Sequence, residues 1–162
     1  MRIGVYGGTF NPPHLGHAAA ARAVFETLKL DRLLLIPDRQ PPHKPLPEGS
    51  PAPEQRLELI RRSVADLPNV EAELYSGLLA DYARQKGAGI LVKGVRNTTD
   101  FDLEYQQAAI NRGICPELET LLLPASPAYQ HFSSTMVREM IRYGQPLEKY
   151  VPAPVAEELK GR

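Results

Sequence analysis

Apolar positions along this chain fall into two alternating patterns. Short continuous runs, each bounded by turn residues, read as buried strands: residues 2–6 before Gly7-Gly8, Arg32 to Ile36 before Pro37, Val70 to Leu74, Gly89 to Lys93, and Leu118 to Leu123. The stretches between them carry helical spacing instead. Residues 15–29 place Ala18, Ala21, Val24, Phe25 and Leu28 on one face, and Pro53 with Glu54 opens a second helix through about Asp66 with Leu57, Ile60 and Val64 inward. Ser76 is the expected N-cap of a third helix reaching about Gln85, and Asp100 of a fourth that runs to Arg112 and ends at Gly113. Ser133 and Ser134 are expected to cap a fifth, which carries Met136, Val137, Met140 and Ile141 and stops at Gly144.

Five strands alternating with helices predict one α/β domain over residues 1–162, a doubly wound five-stranded parallel sheet with helices on both faces. Ligand sites in such sheets lie beyond the carboxyl ends of the strands. Chemistry is therefore expected in the segments Gly7 to His17, Pro37 to Pro53, Tyr75 to Leu79, Lys93 to Glu104 and Pro124 to Thr135.

Composition narrows the partners. Lys plus Arg and Asp plus Glu balance at 19 each, so no global field draws the chain to nucleic acid or an anionic membrane, and neither is an expected partner. An anion site has to be built locally. Cys115 is the only cysteine, which excludes an intrachain disulfide or a multi-cysteine zinc site and fits a reducing, cytoplasmic location; ahead of Pro116 it reads as inert. The N-terminal apolar run is too short for a signal-peptide core, and no run approaches the ~18 apolar residues of a membrane span. Of 16 prolines, seven lie between Pro37 and Pro53, a connection longer than an ordinary α/β loop and stiffened as a presented binding loop would be.

The segment GGTFNPPHLGH, residues 7–17, lacks both the GxGxxG spacing of dinucleotide folds and the GKS/T of a P-loop. It does supply two glycines for close approach, the Thr9 hydroxyl and amide, and a helix N-terminus whose open amides favour an anion. His14 and His17, three apart, share one face there, a placement that suits phosphate contact and also leaves open a metal pair. Bound phosphate would draw positive charge onto these imidazoles. Ser133, Ser134 and Thr135 open another helix, where hydroxyls and amides serve equally as phosphate ligands or as a plain cap.

GGTFNPPHLGH resembles the signature of the nucleotidyltransferase superfamily with a histidine-x-glycine-histidine motif. The block Lys93-Gly-Val-Arg96 through Asp100 and Glu104 to Asn111-Arg112, then Pro116 to Thr120 and Tyr129 to Thr135, is similar to phosphopantetheine adenylyltransferases across essentially the whole chain. The GGTFNPPHLGH wording, the PPHK of Pro41 to Lys44 and the SSTMVR of Ser133 to Arg138 also resemble nicotinate mononucleotide adenylyltransferases, whose tyrosine-threonine-valine segment is absent here. The resemblance implies a Rossmann-like fold and transfer of AMP from ATP to 4′-phosphopantetheine, giving dephospho-coenzyme A and pyrophosphate. The alternative acceptor is nicotinate mononucleotide, and a non-catalytic nucleotide-binding regulator on the same fold is a further alternative.

Residue roles follow from the same resemblance. His17 and Lys93 are the expected catalytic residues, His17 stabilising the transition state and Lys93 touching the acceptor. ATP would be held by Thr9, Phe10, His14, His17, Gly94, Val95, Arg96, Glu104, Tyr129, Gln130, His131, Phe132, Ser133, Ser134 and Thr135. The acceptor would meet Thr9, Lys44, Leu79 and Lys93, with His43 the alternative to Lys44. Lys93 keeps the charge of the arginine common in relatives and loses its bidentate fork. Mg²⁺ is expected to arrive with ATP, held by phosphates and water rather than by protein ligands. Asp38 and Asp100 are read as structural. A homohexamer and feedback binding of coenzyme A are implied by likeness alone.

Overall fold

The structure is a computed structural model that describes residues 1–38 and 45–161. Five parallel strands, β1 (Ile3–Gly8), β2 (Arg32–Pro37), β3 (Val70–Ala72), β4 (Ile90–Val95) and β5 (Glu119–Pro124), form one sheet in the order β3-β2-β1-β4-β5. The helices between them are α1 (Leu15–Thr27), α2 (Pro53–Ser63), α3 (Leu79–Lys86) and α4 (Thr98–Ile114), followed by α5 (Ser134–Arg142) and α6 (Ala153–Lys160). The chain winds outward from β1 to β3, then returns to lay β4 against the other side of β1. The order reverses between β1 and β4, so the crevice for a ligand opens at their carboxyl ends.

Both faces of the sheet are covered, which is why its central strands read as unbroken apolar runs. Along β2, Leu33 and Leu35 enter a core with Ala21, Val24, Leu57 and Ile60 on the α1–α2 side. The intervening Leu34 and Ile36 join Val5, Leu91, Ala80 and Ala83 on the α3 side. A third cluster, Leu59, Phe132, Val137, Val151, Val155 and Ala156, locks α2, α5 and α6 together.

Several boundaries differ from the sequence reading, each for a local reason. Ser76 does not cap α3: Gly77 takes φ +146°, outside helical space, and the helix starts behind Leu78 without a side-chain cap. Asp100 is not the cap of α4 either. Asn97 is, its Oδ1 accepting the Asp100 amide at 2.9 Å, and the helix continues through Gly113 to Ile114. Pro37 does not stop β2 at Ile36 but is its last residue, paired with Gly8 of β1, and the Asp38 amide beyond it donates to the Gly8 carbonyl at 2.8 Å. Ser133 caps α5 as expected, Oγ accepting from the Met136 amide at 3.0 Å. Helix α6 has no counterpart in the sequence reading; Pro152 and Pro154 open it, and Val155 and Ala156 bury its inner side.

Candidate active site

The turn after β1 feeds α1, and two histidines build the junction. His14 is the N-cap; its Nδ1 accepts the amides of Gly16 at 3.1 Å and His17 at 3.4 Å, while the His14 amide donates to His17 Nδ1 at 3.1 Å. This is a capping box made from imidazoles instead of a hydroxyl and a carboxylate. Its chemical consequence is a fixed tautomer. An Nδ1 that accepts an amide proton carries none itself, so each neutral ring holds its proton on Nε2.

The rings stack with centroids 3.6 Å apart. Burial pushes His14 down to about 3, and the Arg96 charge pushes the same way. Burial, then His14 and Arg96, hold His17 well below the ordinary imidazole range. Both are therefore neutral donors at pH 7. His17 keeps some surface toward solvent, whereas His14 is 5% exposed.

Gly16 has to lack a side chain: a Cβ there would sit 2.9 Å from Cε1 and 3.0 Å from Nδ1 of His14. Phe10 braces the pair from below, edge-on to His17 at 4.7 Å and to Tyr6 at 5.5 Å. Its φ of +50° is left-handed, at a cost of about 1–3 kcal/mol that burial of the ring offsets.

Carbonyls of the same turn are held by distant side chains. Arg56, fully buried near the start of α2, donates Nη1 to the Thr9 carbonyl at 2.7 Å. Arg138 of α5 donates to the Asn11 carbonyl at 2.6 Å, and Ser134 Oγ lies 3.4 Å from the Pro12 carbonyl. Phe132 packs edge-on to His14 at 5.8 Å, and its carbonyl accepts from Arg96 at 3.2 Å. These contacts bring the N-termini of α1 and α5 to one place, so two sets of amides and two dipoles meet at one candidate anion site. The C-terminal segment joins in, with the Tyr150 carbonyl accepting the Leu15 amide at 2.9 Å.

The structure thus gathers most of the residues expected from sequence. Thr9, Phe10, His14 and His17 lie in the turn; Lys93, Gly94 and Val95 end β4; Arg96 is tied to Asp100 at 3.1 Å. Glu104 reaches back from α4 to Lys93, Oε2 to Nζ 3.4 Å, with both side chains about four-fifths buried. Tyr129, Gln130, His131 and Phe132 form the approach to α5, with Ser133, Ser134 and Thr135 as its first turn. Tyr129 contributes structure as well, since its Cβ packs against Gly16. Leu79, at the start of α3, rests on Gly7, where a Cβ would come within 2.5 Å of its Cδ1. Lys44 and His43 lie outside the described residues. Arg56 and Arg138 escaped the sequence reading; for Arg138 the SSTMVR wording was a usable signal, whereas Arg56 is one arginine among several in a helix. Among the described residues no group of three or more histidine, cysteine or carboxylate side chains could hold a metal ion.

Chemically the site offers imidazole N–H groups, two helix N-termini and fixed cations around an opening at the β1–β4 switch. That arrangement is chemically suited to charge on phosphoryl oxygens. Comparison with known proteins gives the family. The cytidylyltransferase-like family model matches residues 5–140. A phosphopantetheine adenylyltransferase of Caldanaerobacter subterraneus is 35% identical over 159 residues, covering 98% of this chain and 96% of its own. One of a Roseiflexus species is 39% identical over 163 residues, with 99% and 96% covered. One of a Synechococcus species is 38% identical over 160 residues, with 99% and 97% covered. A histidine pair at a helix start, a lysine at the end of β4 and a serine-capped helix facing both, in a chain matched end to end, make this protein a member of the phosphopantetheine adenylyltransferase family of nucleotidyltransferases.

Proposed function

We propose that the protein transfers AMP from ATP to 4′-phosphopantetheine, forming dephospho-coenzyme A and pyrophosphate. The observation that carries the reading is the placement of neutral Nε2–H donors and two helix N-termini on one side of Gly7, with Lys93 on the other. A phosphate oxygen of the acceptor attacks the α-phosphorus in line; the bond from that phosphorus to the α–β bridging oxygen breaks, and pyrophosphate leaves with the electron pair. With a second pKa of about 6 the acceptor phosphate is largely dianionic at neutral pH, so the step requires no side-chain base. His17 Nε2–H donates to an α-phosphate oxygen as charge accumulates, and His14 with Ser133, Ser134 and Thr135 holds the β- and γ-phosphates. Lys93 turns from Glu104 toward the incoming phosphate.

Mg²⁺ would enter on ATP. The phosphate side of the site presents N–H and O–H donors, a set that suits an ion carried by phosphate oxygens and water, and the ion would neutralise charge on the leaving pyrophosphate. Self-association belongs to the same reading. Helix α4 has no fully buried residue and exposes Phe101, Tyr105 and Ile110, and the neighbouring β5 is half-exposed along its length, as expected of surfaces that meet other copies in a hexamer. Coenzyme A, which shares the product's arm and nucleotide, would compete for this site. Incubation with MgATP and each acceptor in turn tests the function: pyrophosphate release with 4′-phosphopantetheine is expected, and release with nicotinate mononucleotide alone would overturn it. Light scattering tests the hexamer; a monomer at micromolar concentration would remove it.

A further inference from the structure

Asp38, read from sequence as structural, occupies a position with a second use. Its backbone extends β2, donating to the Gly8 carbonyl at 2.8 Å and bridging to Tyr75. Side chains alternate along β2, with Leu34 and Ile36 on the α3 side, so Asp38 follows them to that face. Alternation along β4 carries Leu91 and then Lys93 to the same face. Between the two strands runs β1, whose Gly7 pairs with Ile36 and has no side chain, and Leu79 rests on it and takes that space. The result is a strip of the α3 face on which Asp38 and Lys93, of opposite charge and on the two strands that flank β1, stand on either side of Gly7 and of the Leu79 side chain that rests on it.

In the reaction proposed above this strip is on the acceptor side. The histidine pair belongs to α1, which packs on the opposite face of the sheet through Ala21 and Val24. Charges from other elements also face Asp38: Lys93 and Arg56 attract its carboxylate and Glu104 repels it. Partial burial raises its pKa, and the two cations oppose that rise.

We propose that Asp38 is a specificity-determining residue for the acceptor: its carboxylate accepts hydrogen bonds from a neutral, donor-bearing arm whose phosphate Lys93 holds, and it disfavours an acceptor with a second anionic group there. The inference rests on the reaction proposed above. Past its phosphate, 4′-phosphopantetheine carries a hydroxyl and amide N–H groups and no further charge. Nicotinate mononucleotide carries a carboxylate on its ring. A partly desolvated carboxylate binds O–H and N–H donors strongly, and like charge repels a competitor, so one side chain serves both attraction and exclusion.

The test uses the full chain with Asp38→Asn, which keeps the volume, and Asp38→Ala, each checked by thermal unfolding. KM is measured for 4′-phosphopantetheine and for ATP, and nicotinate mononucleotide is titrated as a competitor of the acceptor. In both variants the acceptor KM rises about tenfold or more, kcat and the ATP KM stay within about twofold, and nicotinate mononucleotide competes better. An acceptor KM within twofold of the unsubstituted protein overturns the proposal. So does a parallel rise in both KM values, which marks a structural role. An unsubstituted protein that fails to turn over 4′-phosphopantetheine defeats the proposed reaction instead.

Discussion

The two sides of this site are built differently. On the nucleotide side almost every group is held: the histidines cap each other, Arg56 and Arg138 fix the carbonyls of the turn, and Phe10 and Phe132 pack against the imidazoles. On the proposed acceptor side, Lys93 has one ion pair at 3.4 Å among the described residues, and Leu79 rests on Gly7 at the edge of the α3-side core. The contrast teaches where precision is required. In the proposed reaction charge develops on the α-phosphate, so donors there must be placed before the reaction begins, while the acceptor's far end has only to be recognised. Changes on the first side should therefore appear in kcat and those on the second in the acceptor's KM.

The largest effect is expected from His17→Ala. Removing one preorganised donor to the developing charge lowers kcat by about 10²–10³-fold, with ATP affinity changed only a few-fold. Steady-state kinetics alongside nucleotide titration would show it; a loss of ATP affinity with kcat unchanged would place His17 in binding alone.

Gly16→Ala comes next and tests whether placement matters apart from chemistry. The new methyl meets His14 at 2.9–3.0 Å and cannot be accommodated without shifting the ring that caps α1. We expect kcat to fall at least tenfold while every catalytic side chain remains. Unchanged kinetics would show that the histidine stack tolerates displacement.

Acid stability offers a third check. His14 titrates near 3 in the folded chain and His17 well below 6.5, against about 6.5 when unfolded. Between these values the unfolded chain binds protons that the folded chain refuses, so stability falls as pH drops from 6.5 toward 3 and is unaffected by this pair above 6.5. The slope is at most about 1.4 kcal/mol per pH unit for each histidine. Denaturant unfolding from pH 7 to 4.5 should show a shallower loss in His17→Ala than in the unsubstituted protein; identical slopes would contradict the burial argument.

The smallest effect belongs to the acceptor side. Leu79→Ala uncovers Gly7 and should raise the acceptor KM several-fold, leaving kcat and the ATP KM nearly unchanged. A fall in kcat would blur the division between the two sides.

Much of this was legible in the chain. The alternation of apolar runs and helical spacing places every strand within a few residues, and GGTFNPPHLGH with HLGH at a helix start marks the candidate anion site. What escaped depends on contacts between remote segments. Arg56 and Thr9 are 47 residues apart, and Arg138 and Asn11 are 127, so no local pattern announces that these arginines hold the turn. The α4 cap was misplaced because Asn97 and Asp100 are both good caps three residues apart, and only the structure shows Asp100 occupied with Arg96. Asp38 reads as structural until strand alternation turns it to the face of Lys93.

The central claim is that two neutral imidazoles present Nε2–H to the phosphates. Nitrogen-detected NMR of the histidine side chains in the ligand-free protein at pH 7 tests it most directly. His14 and His17 are both expected to be uncharged with the proton on Nε2, and to remain so at pH 5. A proton on Nδ1 of either ring, or an imidazolium at pH 7, would contradict it.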